Sequence, residues 1–495
     1  PDRRACEIAH RVRGLLAIDR VAVVAIEQVH EAGNLHLVVH QPGRLGEHTG
    51  LAFRGPGGQE AAGIAVADNQ WIRMHKDVGL VSQVFSPSRI SELKGDFAIG
   101  HVRYSTTGSS TLRNAQPHLI ETQYGQIAVA HNGNLVNSSE LRTGLLRNGV
   151  GLSSSSDSEV LTMMLAGAPG TDWFERIQHS MRHWIGAYSL VILTRDQLFA
   201  VRDPWGIRPL TVGMLPGGGH AVASESGALR TLGCQAIREV KPGEIIMLTD
   251  TALRVTQAMP PARETALCTF EHIYFSRPDS VWDGRSVHQV RQRLGVKLAE
   301  EAPADADVII PVPDSSIPAA IGYAKRSGIP YNDGFIKNRY IGRTFIEPTD
   351  SLRKMGVMLK YNVINENILD KRVVMIDDSI VRGNTTRPLV KLLQDAGARE
   401  VHVRITCPPI RHPCFMGVDM GTYEELVAHR HNLEEIRQIS GADSLEFLSL
   451  EGMMKAIGHS DGYCNACFTG IYPFPVNIHE AKTGFTRWNE CMDEK

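Results

Sequence analysis

Apolar residues in this chain come in short runs, and the spacing between runs changes near the middle. From about 95 to 250 the runs alternate with small or polar residues, as in "FAIGHVRYST", "GQIAVAHNGNL", "AYSLVILT", "QLFAVRD" and "GHAVASES". A period of two puts successive side chains on opposite faces, so these stretches predict strands, and the turn residues between them predict an antiparallel sheet. Within that region "GLSSSSDSEV" offers Ser or Asp as the cap of a helix.

The stretch "QAMPPARETAL", 257–267, contains prolines and little periodicity and predicts a link. Beyond it the order becomes strand, loop, helix. "ADVIIPVPDSSIPAAIGYAKRSGIP" reads as a buried strand, a polar turn and a helix closed by Gly328. "RVVMIDDSIVRGNTTRPLVKLLQDAGAREVHVRIT" repeats the plan, with the next strand, Val401 to Ile405, following Gly397. Such alternation predicts a parallel sheet with crossover helices.

Length and composition narrow the class. At 495 residues the chain exceeds one compact core, and 42% apolar with 21% charged residues is the balance of an ordinary globular protein. A formal net charge of −2 gives no reason to expect a nucleic-acid or anionic-membrane partner. No apolar run approaches the roughly 20 residues needed to cross a bilayer. The opening "PDRRACEIAHRVRG" lacks the apolar core and small-residue cleavage site of a secretory signal, so a cytoplasmic compartment is expected. Eight cysteines are too few for a disulfide scaffold, but Cys464 and Cys467 form a C-x-x-C, while Cys268 and Cys414 lie beside aromatic or Pro-containing segments; metal or cluster binding enters as a candidate.

The most informative stretch is "RVVMIDDSIVRGNTT", 372–386. Ligands of parallel α/β sheets sit beyond the carboxyl ends of the strands, where Asp377 and Asp378 fall. The loop behind them, Ser379 to Thr386, combines Gly383 with hydroxyls and opens onto a helix N-terminus, which suits phosphate. No G-x-x-x-x-G-K-[ST] occurs, and the second half has no Gly-rich turn after its first strand, so P-loop and dinucleotide folds are excluded.

"VVMIDDSIVRGNTT" resembles the signature of the type I phosphoribosyltransferases. The resemblance implies that Asp377 and Asp378 meet ribose hydroxyls and Mg²⁺, and that Ser379, Arg382, Gly383, Asn384, Thr385 and Thr386 bind substrate around its 5′-phosphate. "VPDSSIPAA", 312–320, resembles the pyrophosphate loop, with Ser315 joining the aspartates at the metal. "IKNRYIGRTFIEPTDSLRKMG", 336–356, resembles a loop that closes over substrate, implying that Lys337, Arg339, Tyr340 and Arg343 contact pyrophosphate, Arg339 in a catalytic role.

"GQEAAGIAVAD", "GHVRYSTTG", "AHNGNLVN", "RDPWGIRPL" and "FSRPDS" extend the likeness from about 57 to 470, and together they resemble the amidophosphoribosyltransferase family, which makes phosphoribosylamine from phosphoribosyl pyrophosphate and glutamine. Its first domain is an N-terminal-nucleophile, class II glutaminase, in which a cysteine thiol attacks the glutamine amide. The resemblance makes Asn132 and Gly133 the oxyanion hole and assigns Arg103 and Asp157 to the glutamine carboxylate and amine. The nucleophile itself is missing: a gapless count back from "GQEAAGI" sets the family's Cys-Gly on Ala32-Gly33, "RGPGGQE" departs from the usual pattern, and residues 1–56 show little likeness. Cys6, followed by Glu and some 26 residues too early, is a poor substitute. A reading error at the gene's start, an ammonia-dependent enzyme with a dead glutaminase, and an unusual nucleophile all fit.

The iron–sulfur subgroup of that family holds a [4Fe–4S] cluster on four cysteines that match Cys268, Cys414, Cys464 and Cys467; a zinc Cys₄ site is the chemical alternative. Cys6, Cys234, Cys407 and Cys491 are read as bystanders.

The expectation is therefore mixed α+β and α/β: an atypical start at 1–56, an αββα glutaminase domain at 57–257, a phosphoribosyltransferase parallel-sheet domain at 268–470 and a tail at 471–495. Glutamine and phosphoribosyl pyrophosphate are the expected substrates and Mg²⁺ and [4Fe–4S] the cofactors, with neither nucleic acid nor membrane as partner. Family members are commonly tetramers regulated by purine nucleotides. A regulator that keeps the phosphoribosyl fold only to sense its ligand is the rival from another class, and a class II amidotransferase with a different acceptor is a second.

Overall fold

The computed structural model describes the backbone of residues 35–40, and residues 61–68, 70–103, 111–249, 252–338, 360–420, 422–458 and 461–477. The alternating first half forms strands β1 (Leu35–His40), β2 (Ala61–Ala67), β3 (Ile72–Val78), β4 (Phe97–Arg103), β5 (His118–Thr122), β6 (Gly125–Leu135) and β7 (Gly186–Leu193). It continues through β8 (Leu198–Arg202), β9 (Thr211–Met214), β10 (His220–Ala223), β11 (Gln235–Glu239), β12 (Glu244–Leu248) and β13 (Leu253–Gln257). Two antiparallel sheets result, in the orders β11-β9-β10-β1-β4-β2-β3 and β13-β12-β8-β7-β6-β5.

The period-two pattern explains their stacking. In β6, Ala128 and Ala130 join Ala65, Ile99 and Val222 in the core between the sheets. Ile127 and Val129 point the other way, against Leu161 and Ile177 of the helices Asp157–Gly167 and Trp173–Met181. The other sheet, the one containing β2 and β4, is covered by the helix Val81–Val84, which packs on Ile64, Val66 and Ala98. The expected αββα layering follows. The serine run caps its helix as read: the Ser156 side chain accepts from the Ser158 N–H.

One element departs from the reading. The opening 1–56, set apart as atypical, supplies β1 in the middle of a sheet, paired with β4 from Leu35↔Val102 to His40↔Phe97 and with β10 on its other edge. A six-residue strand recognised only through two distant partners carries too little periodicity to be identified alone.

The link returns along the first half, with the Ala262 and Ala266 N–H groups donating to the carbonyls of Pro204 and Trp205 at 2.8 Å. Beyond it come β14 (Leu267–Cys268), the pair β15 (Val281–Trp282) and β16 (Arg285–Ser286), β17 (Val308–Pro311), the pair β18 (Phe335–Lys337) and β19 (Tyr361–Val363), β20 (Arg372–Asp377), β21 (Glu400–Ile405), β22 (Ser444–Phe447) and β23 (Tyr463–Cys464). Strands β17-β20-β21-β22 form the predicted parallel sheet. Gly328 takes the left-handed conformation that ends the helix Ile317–Ser327.

That helix crosses the helix Val287–Glu301 at two glycines. A methyl added at Gly295 would stand 1.8 Å from the Ala319 carbonyl oxygen, and one at Gly322 would stand 1.9 Å from that of Gln292.

The halves meet through buried polar groups as well as apolar ones. Arg208 and Glu271 form a 2.9 Å ion pair with both side chains almost fully buried. Glu225, also buried, accepts from the Arg277 N–H and the Ser280 hydroxyl at 2.8 Å. Ala187 and Ile207 share an apolar cluster with Phe415, Met416 and Phe474, so the segment read as a tail is packed at least through Phe474; residues 478–495 lie outside the described residues.

Two outcomes follow from this packing. Gly295→Ala should lose ~1–3 kcal/mol of stability in denaturant melts, because backbone rather than a movable side chain blocks the methyl. Burial carries the Glu225 carboxyl up to about 7, against the hydrogen bonds from Arg277 and Ser280, with Glu271 adding to the rise. A raised acid pKa stabilises the fold fully below the unfolded value, and that contribution is lost as pH climbs through about 7. Melting temperatures measured from pH 4.5 to 8.5 should therefore fall less for Glu225→Gln than for the parent.

Candidate active site

Asp377 closes β20 and Asp378 follows it, at the carboxyl end of the parallel sheet and only 7% and 6% exposed. Two carboxylates so placed need donors. Ser315 Oγ donates to Asp378 Oδ2 at 2.5 Å, Ser379 Oγ to Asp378 Oδ1 at 2.7 Å, and Ser316 Oγ to Asp377 Oδ1 at 3.4 Å. The Asp378 N–H donates to Asp377 Oδ1 at 2.9 Å. Both serines of "PDSS" arrive here because β17 pairs in parallel with β20, so the two strand-end loops emerge side by side. From the third strand, the Thr406 hydroxyl donates to the Asp378 carbonyl at 3.4 Å.

The loop from Ser379 through Gly383, Asn384 and Thr385 leads into the helix Thr386–Asp395, with Thr386 buried at its first turn. Gly383 has φ of +77°, a conformation that costs glycine little. The loop and the helix N-terminus thus follow directly on the acidic pair along the chain. Arg382 turns to Glu425 at 3.0 Å and Asp419 at 3.5 Å. Lys337, on β18, pairs with Asp314 of the "PDSS" loop at 3.1 Å. Arg339, Tyr340 and Arg343 lie outside the described residues.

Behind the pair stands Arg291, fully buried and donating to the carbonyls of His272 and Ser276 at 2.8 Å. Burial draws its pKa down to about 10, while the field of Asp378 supports its charge. Cys407 is buried on the same side, its thiol pushed up by burial and by both aspartates, which keeps it neutral. Sequence reasoning passed over Ser316, Thr406 and Arg291. Ser316 had a signal in the doubled serine; Arg291 had none, because its place depends on a helix packing against the carbonyls of His272 and Ser276.

The second group of candidate residues lies in the first half. Arg103 ends β4, buried to 5%, and β1 starts at Leu35 opposite Val102; Ala32 lies outside the described residues. Asn132 and Gly133 lie in β6, and Asp157 opens the helix packed on that strand. Asp157 Oδ2 accepts from the Leu135 N–H at 3.1 Å and stands 3.5 Å from His131 Nδ1. Gln116 exchanges two hydrogen bonds with the His131 backbone, at 2.7 and 3.2 Å, fixing the strand just before Asn132. The Asn132 amide is 1% exposed and finds no hydrogen-bond partner for either its nitrogen or its oxygen among the described residues. Such a group costs free energy unless something binds it. Gly133 cannot be replaced sterically, since a methyl there would stand 1.9 Å from the Ala187 carbonyl oxygen.

The cysteines converge. Cys268 of β14 pairs in parallel register with Cys464 of β23. The Arg411 and His412 N–H groups donate to the Cys467 carbonyl at 3.0 Å, which holds the approach to Cys414 beside the C-x-x-C turn. Burial pushes the thiol of Cys464 up to about 12, and those of Cys268 and Cys467 further, with each sulfur's neighbours in the set adding to the effect. Among the described residues no three His, Cys, Asp or Glu side chains are grouped to hold a single metal ion. All six described cysteines are free of disulfides, with Cys234 and Cys407 buried; Cys6 and Cys491 lie outside the described residues. No described helix is long and apolar enough to cross a membrane.

Comparison with known proteins covers both halves. Residues 101–231 match a family model described as a glutamine amidotransferase domain. A relative from Synechococcus elongatus called amidophosphoribosyltransferase is 49% identical over 85% of this chain and 86% of its own. Relatives of the same name from Bacillus subtilis and Rattus norvegicus are 47% and 43% identical, over 85% and 86% of this chain and 89% and 92% of theirs. The solved Bacillus subtilis glutamine phosphoribosylpyrophosphate amidotransferase, complexed with ADP and GMP, superposes with a TM-score of 0.80 at 43% identity, covering 90% of this chain and 98% of that one. With likeness of this extent in sequence and in fold, the chain belongs to the amidophosphoribosyltransferase family.

Proposed function

We propose that this chain converts phosphoribosyl pyrophosphate to 5-phosphoribosylamine, with the domain at 57–257, completed by β1, supplying ammonia and the domain at 268–470 supplying the acceptor. The observation that carries the reading is the buried Asp377–Asp378 pair held by hydroxyls from two strand-end loops. The carboxylates receive the ribose hydroxyls, and the loop Ser379–Thr386 receives the 5′-phosphate on backbone N–H groups and the helix N-terminus. As the bond from ribose carbon to pyrophosphate breaks, positive charge grows on the sugar, and the fixed carboxylates stabilise it. Ammonia then forms the new C–N bond and loses a proton. Lys337 leaves Asp314 to meet the departing pyrophosphate, with Arg339, Tyr340 and Arg343 closing over it.

Ser315, Asp377 and Asp378 present the hard oxygen donors that Mg²⁺ prefers, and the ion, when bound, would neutralise charge on the leaving group. The sulfur donors Cys268, Cys414, Cys464 and Cys467 suit iron–sulfur ligation, and a cluster there would join the link to the C-terminal segment.

Ammonia is drawn from glutamine, whose carboxylate and amine fall to Arg103 and Asp157. The unpartnered Asn132 amide and the Gly133 N–H supply donors for the tetrahedral oxyanion. Alanine at 32 has no lone pair to attack with, so we infer that the opening of the sequence is misread and a cysteine belongs there. The reading includes a cytoplasmic homotetramer that acts on small molecules, with neither nucleic acid nor membrane as partner.

Replacing Asp377 and Asp378 by Asn should lower ammonium-dependent formation of phosphoribosylamine by about 10²-fold or more, as expected when groups that stabilise developing charge are removed; an unchanged rate would defeat the assignment. Amide-labelled glutamine should label the product, whereas turnover with ammonium alone would mean a silent glutaminase. Anaerobic preparations should hold about four irons per chain with broad brown absorption; stoichiometric zinc would replace the cluster reading.

A further inference from the structure

The Asn132–Gly133 peptide is touched by the other half of the chain. Asn134, next along β6 and 8% exposed, donates from Nδ2 to the Phe415 carbonyl at 3.0 Å across 281 positions of sequence. Gly417, two residues further along that segment, lies against Gly133 itself: a methyl on Gly417 would stand 2.8 Å from both the carbonyl carbon and oxygen of Gly133. On its other side Gly133 abuts the Ala187 carbonyl. The glycine is thus held between β7 and the segment 414–418. That segment is itself anchored, with Phe415 and Met416 buried beside Ala187, the Cys414 N–H bonded to the Met420 carbonyl at 2.9 Å, and the Met416 N–H to Cys414 Sγ at 3.3 Å.

We propose that segment 414–418 is a positioning element for the oxyanion peptide, with Asn134 and Gly417 as its anchor points. An N–H can stabilise an oxyanion only if aimed before the charge forms. Gly133, lacking a side chain and held at a φ of +148°, has little of its own to fix that aim. The Asn134 amide and the Gly417 backbone fix it from outside. The same segment is a physical tie between centres: Cys414 belongs to the sulfur set, and Asp419, one residue past Val418, pairs with Arg382 of the phosphate loop. The inference rests on reading Asn132 and Gly133 as the oxyanion hole.

The test uses Asn134→Ala and Gly417→Ala in the full chain, with Gly295→Ala as a control for general loss of stability. Amide hydrogen exchange of a peptide spanning β6 should rise about tenfold or more in both variants and not in the control, relative to β8. Ammonium-dependent turnover should stay within about twofold, while kcat for glutamine falls about tenfold or more with KM little changed, the signature of an interaction made in the transition state. Unchanged exchange in β6, or a parallel fall in both activities, would overturn the proposal. A parent that hydrolyses no glutamine would be a chain that lacks its nucleophile at position 32, and exchange in β6 alone would then decide the positioning.

Discussion

Two adjacent carboxylates buried at the end of a strand repel each other and lose hydration, so the second half of this chain is organised around satisfying them. No local segment can do it. Serine hydroxyls from the loop after β17, the Ser379 hydroxyl, and a threonine after β21 come to Asp377 and Asp378 because three parallel strands end at one level. Arg291 adds positive field from beneath. The sheet order is thereby tied to chemistry: with β17 placed elsewhere, the pair would lose its strongest hydroxyl donor.

The same requirement, donors and acceptors for buried polar groups, governs how the halves meet. Arg208 with Glu271 and Glu225 with Arg277 and Ser280 take polar atoms deep into the junction, where a partner lost would leave a desolvated charge. Such a junction resists sliding, because each bond has one geometry. That rigidity suits a chain in which ammonia made on one side is consumed on the other, since a gap would admit water and protons. The link 257–267 takes part as well, hydrogen-bonded along the first half rather than hanging free.

Much of this architecture was legible because it is local. Alternation in "GQIAVAHNGNL" gave β6 and its two faces; the strand-loop-helix rhythm of "RVVMIDDSIVRGNTTRPLV" gave β20, the loop and the helix behind it. A helix cap by Ser or Asp in "GLSSSSDSEV", which the fold assigns to Ser156, and a helix end at Gly328 follow from the chemistry of single residues. The motifs also carried the family, since their order along the chain is itself sequence information.

What stayed hidden involves partners far apart in the chain. β1 is a strand by virtue of β4 and β10, Cys268 meets Cys464 through a two-residue parallel bridge, and Asn134 finds the Phe415 carbonyl across the junction. Arg291 looks like any helix arginine until the helix is packed against the segment Glu271–Phe275 and the guanidinium meets the His272 and Ser276 carbonyls. The sequence by itself determined the elements, the acidic pair, the glycine loop and the residue types of both centres, because periodicity and side-chain chemistry act over a few residues. Only the tertiary structure decided which hydroxyl reaches which carboxylate and which backbone presses on Gly133, because those contacts depend on the register of whole strands.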